Sequence, residues 1–191
     1  NGGLAANYSI SPGQTTTADV TAKALSVSGI TASNKTYDAT TTATLNTGSV
    51  TYTGLVSGDV FNGTYTGAFS DKNVGTGKTV TITSTYSGAD VGNYSVTDHS
   101  TITADVAVKA LTATASTANK TYDGTTTATT TLTFSGLVGS ETLGQTVGST
   151  FDNKNVGTDK TVTVNSITLA DGTNGGLAAN YSISPGQTTT A

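Results

Sequence analysis

KTVTITSTYSG, residues 78–88, places Val80, Ile82 and Tyr86 on one parity, with Thr or Ser at most of the positions between. A period of two belongs to a strand with one buried and one wet face. Just upstream, VFNGTYTGAFS at residues 60–70 sets Phe61, Tyr65 and Phe69 on a shared parity, and TVTV at residues 161–164 restarts the pattern with Val162 and Val164. Turn formers separate these runs: Ser57-Gly58-Asp59, Asn73-Val74-Gly75, Ser87-Gly88-Ala89-Asp90, Gly136 with Gly139, and the Gly-rich stretch 171–176. Strands so spaced predict an all-β chain built of antiparallel sandwiches of about six or seven strands each, immunoglobulin-like in architecture, with a β-grasp-like unit as the alternative. No segment carries the pattern of a helix longer than a turn.

Composition supports this class. Thr fills about a quarter of the positions, and Thr is stiff at χ1, which disfavours helix and suits a pleated, half-solvated surface. Hydrophobic content is 34% and aromatic content 6%, low values, yet the regular spacing of Val, Ile, Leu, Phe and Tyr and the 10% charged content set the chain apart from a disordered one. Net charge is −4 and all eight basic residues are Lys, which leaves no basic stripe for nucleic acid or an anionic membrane. Cys, Met and Trp are absent, so the sequence offers no disulfide, thiol chemistry or soft metal site, a composition suited to an extracellular surface. No apolar run approaches the ~18 residues of a spanning segment.

Repetition organises the pattern at a larger scale. NGGLAANYSISPGQTTTA, residues 1–18, returns letter for letter as residues 174–191, an offset of 173. A looser copy lies between: SNKTYDATTTAT around Tyr37 answers to ANKTYDGTTTAT around Tyr122, an offset of 85, and TADV recurs at residues 17–20 and 103–106. DKNVGTGKTVT from Asp71 matches DNKNVGTDKTVT from Asp152, and Asn7-Tyr8 recurs as Asn93-Tyr94 and Asn180-Tyr181. The expected division is residues 1–18 as the last strand of a preceding repeat, 19–104 as a first repeat and 105–191 as a second, within an array whose larger period continues in series. Apolar parity runs through Val106 and Val108 and then shifts to Leu111 and Ala113, as it shifts from Val20 and Ala22 to Leu25 and Val27. That shift predicts a bulge, or a handover between sheets, in a strand-like linker near Ala24 and Ala110.

KTYDATTTAT and KTYDGTTTAT, each followed by a KNVGT segment and then by an NYS strand, resemble the YDG and MBG families of bacterial surface repeats. This resemblance implies tandem stalk or spacer units of a large secreted or cell-surface adhesin, filamentous-haemagglutinin-like in kind, with no catalytic residues to carry over. Ala39 stands where the second copy has Gly124, so the first turn is expected to avoid positive φ or to use another geometry. Asp38 and Asp123 are expected to accept backbone N–H groups in Asx turns. Tyr37 and Tyr122 are expected to cover the sandwich end with the hydroxyl on a backbone carbonyl. Most lysines are expected to be solvated gatekeepers on strand edges.

Chemistry has few footholds here. A self-formed amide between Lys and Asn would pair Lys35 or Lys23 with Asn73, and Lys120 or Lys109 with Asn155; an Asp would have to assist, because Glu141 is the only Glu. Asp90, Asp98 and Asp171 are scattered singly, without the clustered oxygens calcium needs, and no metal or cofactor is expected. His99 has no His or Cys partner and is expected on an exposed loop. No nucleophile and base stand together, so no enzymatic activity is expected. The expected partners are neighbouring repeats of the same chain, with self-association through terminal strands as a further route. A self-assembling filament subunit, or a carbohydrate- or ice-binding module on the Thr-rich stretches 40–44 and 125–131, are the competing functions.

Overall fold

A computed structural model describes residues 2–191. The first unit contains β1 (Lys23–Ser28), β2 (Thr31–Ala32), β3 (Lys35–Thr36), β4 (Thr42–Ala43), β5 (Leu45–Asn46), β6 (Thr51–Thr53), β7 (Asn62–Phe69), β8 (Gly75–Ser87), β9 (Tyr94–Thr97) and β10 (Thr101–Ala107). The second contains β11 (Lys109–Ala110), β12 (Thr112–Thr117), β13 (Thr127–Ala128), β14 (Thr130–Ser135), β15 (Leu143–Phe151), β16 (Thr161–Asp171), β17 (Tyr181–Ser182) and β18 (Thr188–Thr190). Helical structure among the described residues is confined to three single-turn 3-10 segments, at Ala5–Asn7, Val91–Asn93 and Ala178–Asn180. The chain is all-β.

Alternation sets the sheets. β8 is the central long strand, paired antiparallel with β7 from Asn62↔Ser87 to Phe69↔Val80 and with β10 on its other edge. Val80, Ile82, Phe61 and Phe69 are all buried, as the period-two pattern requires. The five-stranded sheet runs β3-β10-β8-β7-β4, and a three-stranded sheet runs β6-β1-β9. The second unit repeats the larger sheet as β13-β15-β16-β18.

Pairing is not antiparallel throughout. β1 lies parallel to β9, from Lys23↔Tyr94 to Ser26↔Thr97, and β11 lies parallel to β17, with Lys109↔Tyr181. The opening strand of each unit thus clamps the strand that carries the NYS motif near its end. Local alternation fixes which face a residue takes but not strand direction, so this feature escaped the sequence pattern.

The two units differ where offsets drift. Gly29 has φ +84 and a Cβ there would lie 2.1 Å from the Ser49 carbonyl oxygen, so the first unit breaks its edge ladder into β1–β6 and β2–β5. Without a counterpart of Gly29, the second unit runs β12 against β14 unbroken from Thr112↔Ser135 to Thr117↔Thr130.

The linker is strand, as expected, and only Val108 separates β10 from β11. Ala104 and Val106, on even positions, and Leu111, on an odd one, are all buried in one core shared by the two units, so the parity shift occurs between Val106 and Leu111. The bulge itself lies at Asp105, between Ala104 and Val106 in the pairing with β8. The Asp105 N–H donates to Asn34 Oδ1 at 2.8 Å, and Asp105 Oδ1 accepts from the Gly77 N–H at 2.7 Å. Residues 2–22 join no ladder. The copy of this sequence at the other end forms the same 3-10 turn and then β17 and β18, because there β11 and β16 supply partners. The turn is a local property of LAAN, whereas its strands require a sheet.

Candidate functional site at the joint

The motif KTYD builds the same lysine cage twice. Lys35 Nζ donates to Asp38 Oδ1 at 2.8 Å, the Thr40 carbonyl at 2.8 Å, Thr40 Oγ1 at 3.0 Å and the Thr42 carbonyl at 3.2 Å. Lys120 Nζ repeats this on Asp123, Thr125 and Thr127 at 2.9 to 3.1 Å. Asp38 and Asp123 close the expected Asx turns, each accepting the N–H two residues on at 2.9 Å. Lys35 also lies 5.3 Å from the centroid of the Phe69 ring, and Lys120 5.5 Å from that of Phe151.

Several sequence expectations change here. Ala39 does take positive φ, +62, matching Gly124 at +79, so the alanine copies the glycine geometry and carries its strain. Of the eight lysines, Lys35, Lys72, Lys78, Lys120 and Lys160 form salt bridges, so solvated edge gatekeeping does not describe most of them. Cross-link candidates Lys35 and Lys120 have their amino groups inside the cages. Asn73 Oδ1 accepts from Asn180, and the Asn155 N–H donates to Asn153. No hydrogen bond among the described residues joins either lysine, or Lys23 or Lys109, to Asn73 or Asn155. His99 is half-buried, not exposed, with its Nδ1 enclosed and without a hydrogen-bond partner. Among the described residues, no three His, Cys, Asp or Glu side chains converge.

Tyr37 supplies the feature that the sequence hid. Its hydroxyl reaches no backbone carbonyl; it donates at 2.7 Å to Glu141 Oε1, in the next unit. Glu141 Oε2 accepts from the Tyr181 hydroxyl at 2.6 Å, and Lys72 Nζ lies 3.0 Å from Oε1. Glu141 is 6% exposed, Tyr37 1% and Tyr181 5%. Burial alone would push the Glu141 carboxyl up, but donors from Tyr181, Tyr37 and Lys72 outweigh it and hold the group below its ordinary range. Burial, reinforced by the carboxylate, raises Tyr181 to about 12 and raises Tyr37 as well.

Around this carboxylate the units close tightly. The Tyr37 and Tyr181 rings meet edge to face with centroids 5.4 Å apart. Asn180, 1% exposed, accepts the Val74 N–H at 3.0 Å and donates to Asn73 Oδ1 at 3.1 Å. The core is shared: Tyr37, Phe69, Val80 and Val106 of the first unit pack with Leu111 and Tyr181 of the second. Each fully buried large side chain stabilises by about 1.5–3 kcal/mol, so the joint is a piece of hydrophobic interior and not a tether.

A family model described as the YDG domain matches residues 21–104 and again residues 107–191. The chain belongs to the YDG domain family. The joint is therefore a contact between two consecutive YDG domains, and the tyrosine and aspartate of the KTYD motif divide the work: Tyr37 faces the neighbour while Asp38 holds the cage. Comparison with curated proteins and with solved structures returns no match. The repeated NYS motif and the solitary Glu were the available signals for this site. Neither could reveal a contact between residues 104 apart.

Proposed function

We propose that this chain is a spacer segment of a large bacterial surface or secreted adhesin, whose YDG domains stack end to end and hold a distal adhesive region away from the envelope. The observation that carries the reading is the joint at Glu141: a buried carboxylate with three donors inside a core shared by both units is built to resist bending. Strand architecture supports it too. The parallel clamps β1–β9 and β11–β17 set each unit's opening strand beside its NYS strand, so a pull along the chain loads their hydrogen bonds together in shear. Force tolerance in such an array follows the unfolding rate of its units.

The test is length against copy number. Chains carrying one, two and three of the 173-residue periods should give X-ray scattering profiles of stiff rods whose long dimension grows in proportion. A flexible coil, or a compact particle whose length does not grow, removes the spacer reading.

A further inference from the structure

Tyr37, Lys72, Asn73 and Val74, which the first unit gives to the joint, recur on the second, where their counterparts face outward. Tyr37 is 1% exposed and its counterpart Tyr122 is 58% exposed. Lys72, Asn73 and Val74 are half-buried, whereas Lys154, Asn155 and Val156 are exposed, Val156 to 88%. These residues line an open concavity of about 730 Å³ floored by Phe151. Beneath it lies a small core of Ala128, Phe151 and Val162, the counterparts of Ala43, Phe69 and Val80. In the first unit those three extend into a neighbour's Leu111 and Tyr181; in the second they stop at the surface.

The complementary face recurs on the first unit. GLVSGD at residues 54–59 aligns with GLVGSE at 136–141, so Asp59 stands for Glu141. The Tyr94 hydroxyl donates to Asp59 and accepts the Val56 N–H at 3.0 Å, as the Tyr181 hydroxyl serves Glu141 and the Val138 N–H at 3.0 Å. Asn93 is exposed where Asn180 is buried, and Val56 is 44% exposed where Val138 is half-buried.

We propose that the open face around Tyr122, Lys154 and Val156 is a socket for a second copy of this chain, which seats its Asp59, Tyr94 and Asn93 there, as Glu141, Tyr181 and Asn180 seat on the first unit. The internal joint is the template for this contact, residue for residue. Lys154 faces a carboxylate of opposite charge, Tyr122 gains an acceptor for its hydroxyl, and Val156 and Val56 leave water together. Asp59 is one methylene shorter than Glu141, so the two kinds of joint alternate along the array and the Asp joint is the weaker. This inference rests on the spacer reading, in which successive copies lie head to tail.

The experiment joins two full chains so that residues 174–191 of the first copy serve as residues 1–18 of the second. Tyr122→Phe in the second copy leaves one Tyr122 to follow. Nitration by tetranitromethane, mapped by mass spectrometry, should proceed readily at Tyr122 of the single chain. It should slow by about tenfold or more at Tyr122 of the joined chain, as expected of a site that must open to react. Lys154→Glu in the first copy changes an exposed side chain and sets two carboxylates against each other; it should restore the single-chain rate. A joined chain whose Tyr122 reacts as fast as in the single chain, or protection that Lys154→Glu leaves intact, overturns the socket. Scattering on the same sample separates the two readings: a long rod with a reactive Tyr122 overturns only the socket, and a compact particle with a protected Tyr122 upholds it while removing the spacer role.

Discussion

Replacing Glu141 with Gln keeps the side-chain shape and removes the charge on which the joint converges. Three donors meet the carboxylate, from Tyr181 at 2.6 Å, Tyr37 at 2.7 Å and Lys72 at 3.0 Å. A hydrogen bond to a charged group contributes about 1.5–3 kcal/mol, and a glutamine oxygen still accepts one of the two tyrosines. The other hydroxyl then faces an amide NH2. Lys72, with 35% of its side chain exposed, regains water and adds little to the loss. The expected net cost is about 2–4 kcal/mol, read from urea unfolding by circular dichroism. Because Tyr37 lies in the other unit, Tyr37→Phe should be non-additive with Glu141→Gln, with a coupling of about 1 kcal/mol or more. A loss below about 0.5 kcal/mol, or strict additivity with Tyr37→Phe, refutes the claim that the carboxylate ties the units together.

Further expectations concern pH, the turn and the cages. Glu141 is held below its ordinary 4.5 and Asp123, through Lys120, down to about 2, so their stabilisation is complete above the ordinary carboxyl range and fades as pH falls through the folded values; acid titration of the melting temperature should show a decline beginning below about pH 4.5. Tyr181, raised to about 12 from 10.0, behaves oppositely: its contribution is full below pH 10 and is lost as pH rises through about 12, a loss that tyrosinate absorbance should report. Gly124→Ala sets a Cβ in open space at positive φ, so thermal unfolding should show a conformational cost of about 1 kcal/mol, while Ala39→Gly relieves strain but forfeits a methyl contact with the shared core. Lys35→Met keeps the aliphatic stem and empties the cage, which should cost about 2 kcal/mol in urea unfolding, whereas exposed Lys154→Met should change stability by less than about 0.5 kcal/mol.

What the sequence made legible was local. Val80 and Ile82, with Val162 and Val164, alternate with Thr because a strand's two faces meet different media, and all four are buried. The handover from Val106 to Leu111 could be read for the same reason, as could the Asx turns of Asp38 and Asp123, which need only the next two residues. Strand direction was not legible, because a parallel and an antiparallel partner ask the same parity of β1. Nor was the fate of the lysines: Lys35 and Lys154 look alike as letters, and only the path of the chain decides which one finds four acceptors. The tyrosine of the motif shows the limit most directly. Tyr37 and Tyr122 sit in almost identical decapeptides, yet one is interior and the other exposed, because a second unit stands against the first alone.

The single-residue spacer at Val108 has a hereditary consequence. Between units the chain has no slack: TADV and KAL hold the same spacing at residues 17–25 and 103–111, while offsets elsewhere drift from 85 at Tyr37/Tyr122 to 82 at Gly54/Gly136. A lone codon gained or lost there would turn Leu111 out of its core and set every later bead on the wrong face, so length variation is confined to loops within a bead. Recombination between the two identical 18-residue segments would add or delete a whole 173-residue period and leave each such spacing unchanged. In the spacer role proposed above, reach would then be lengthened or shortened by duplication alone, without inventing a new seam.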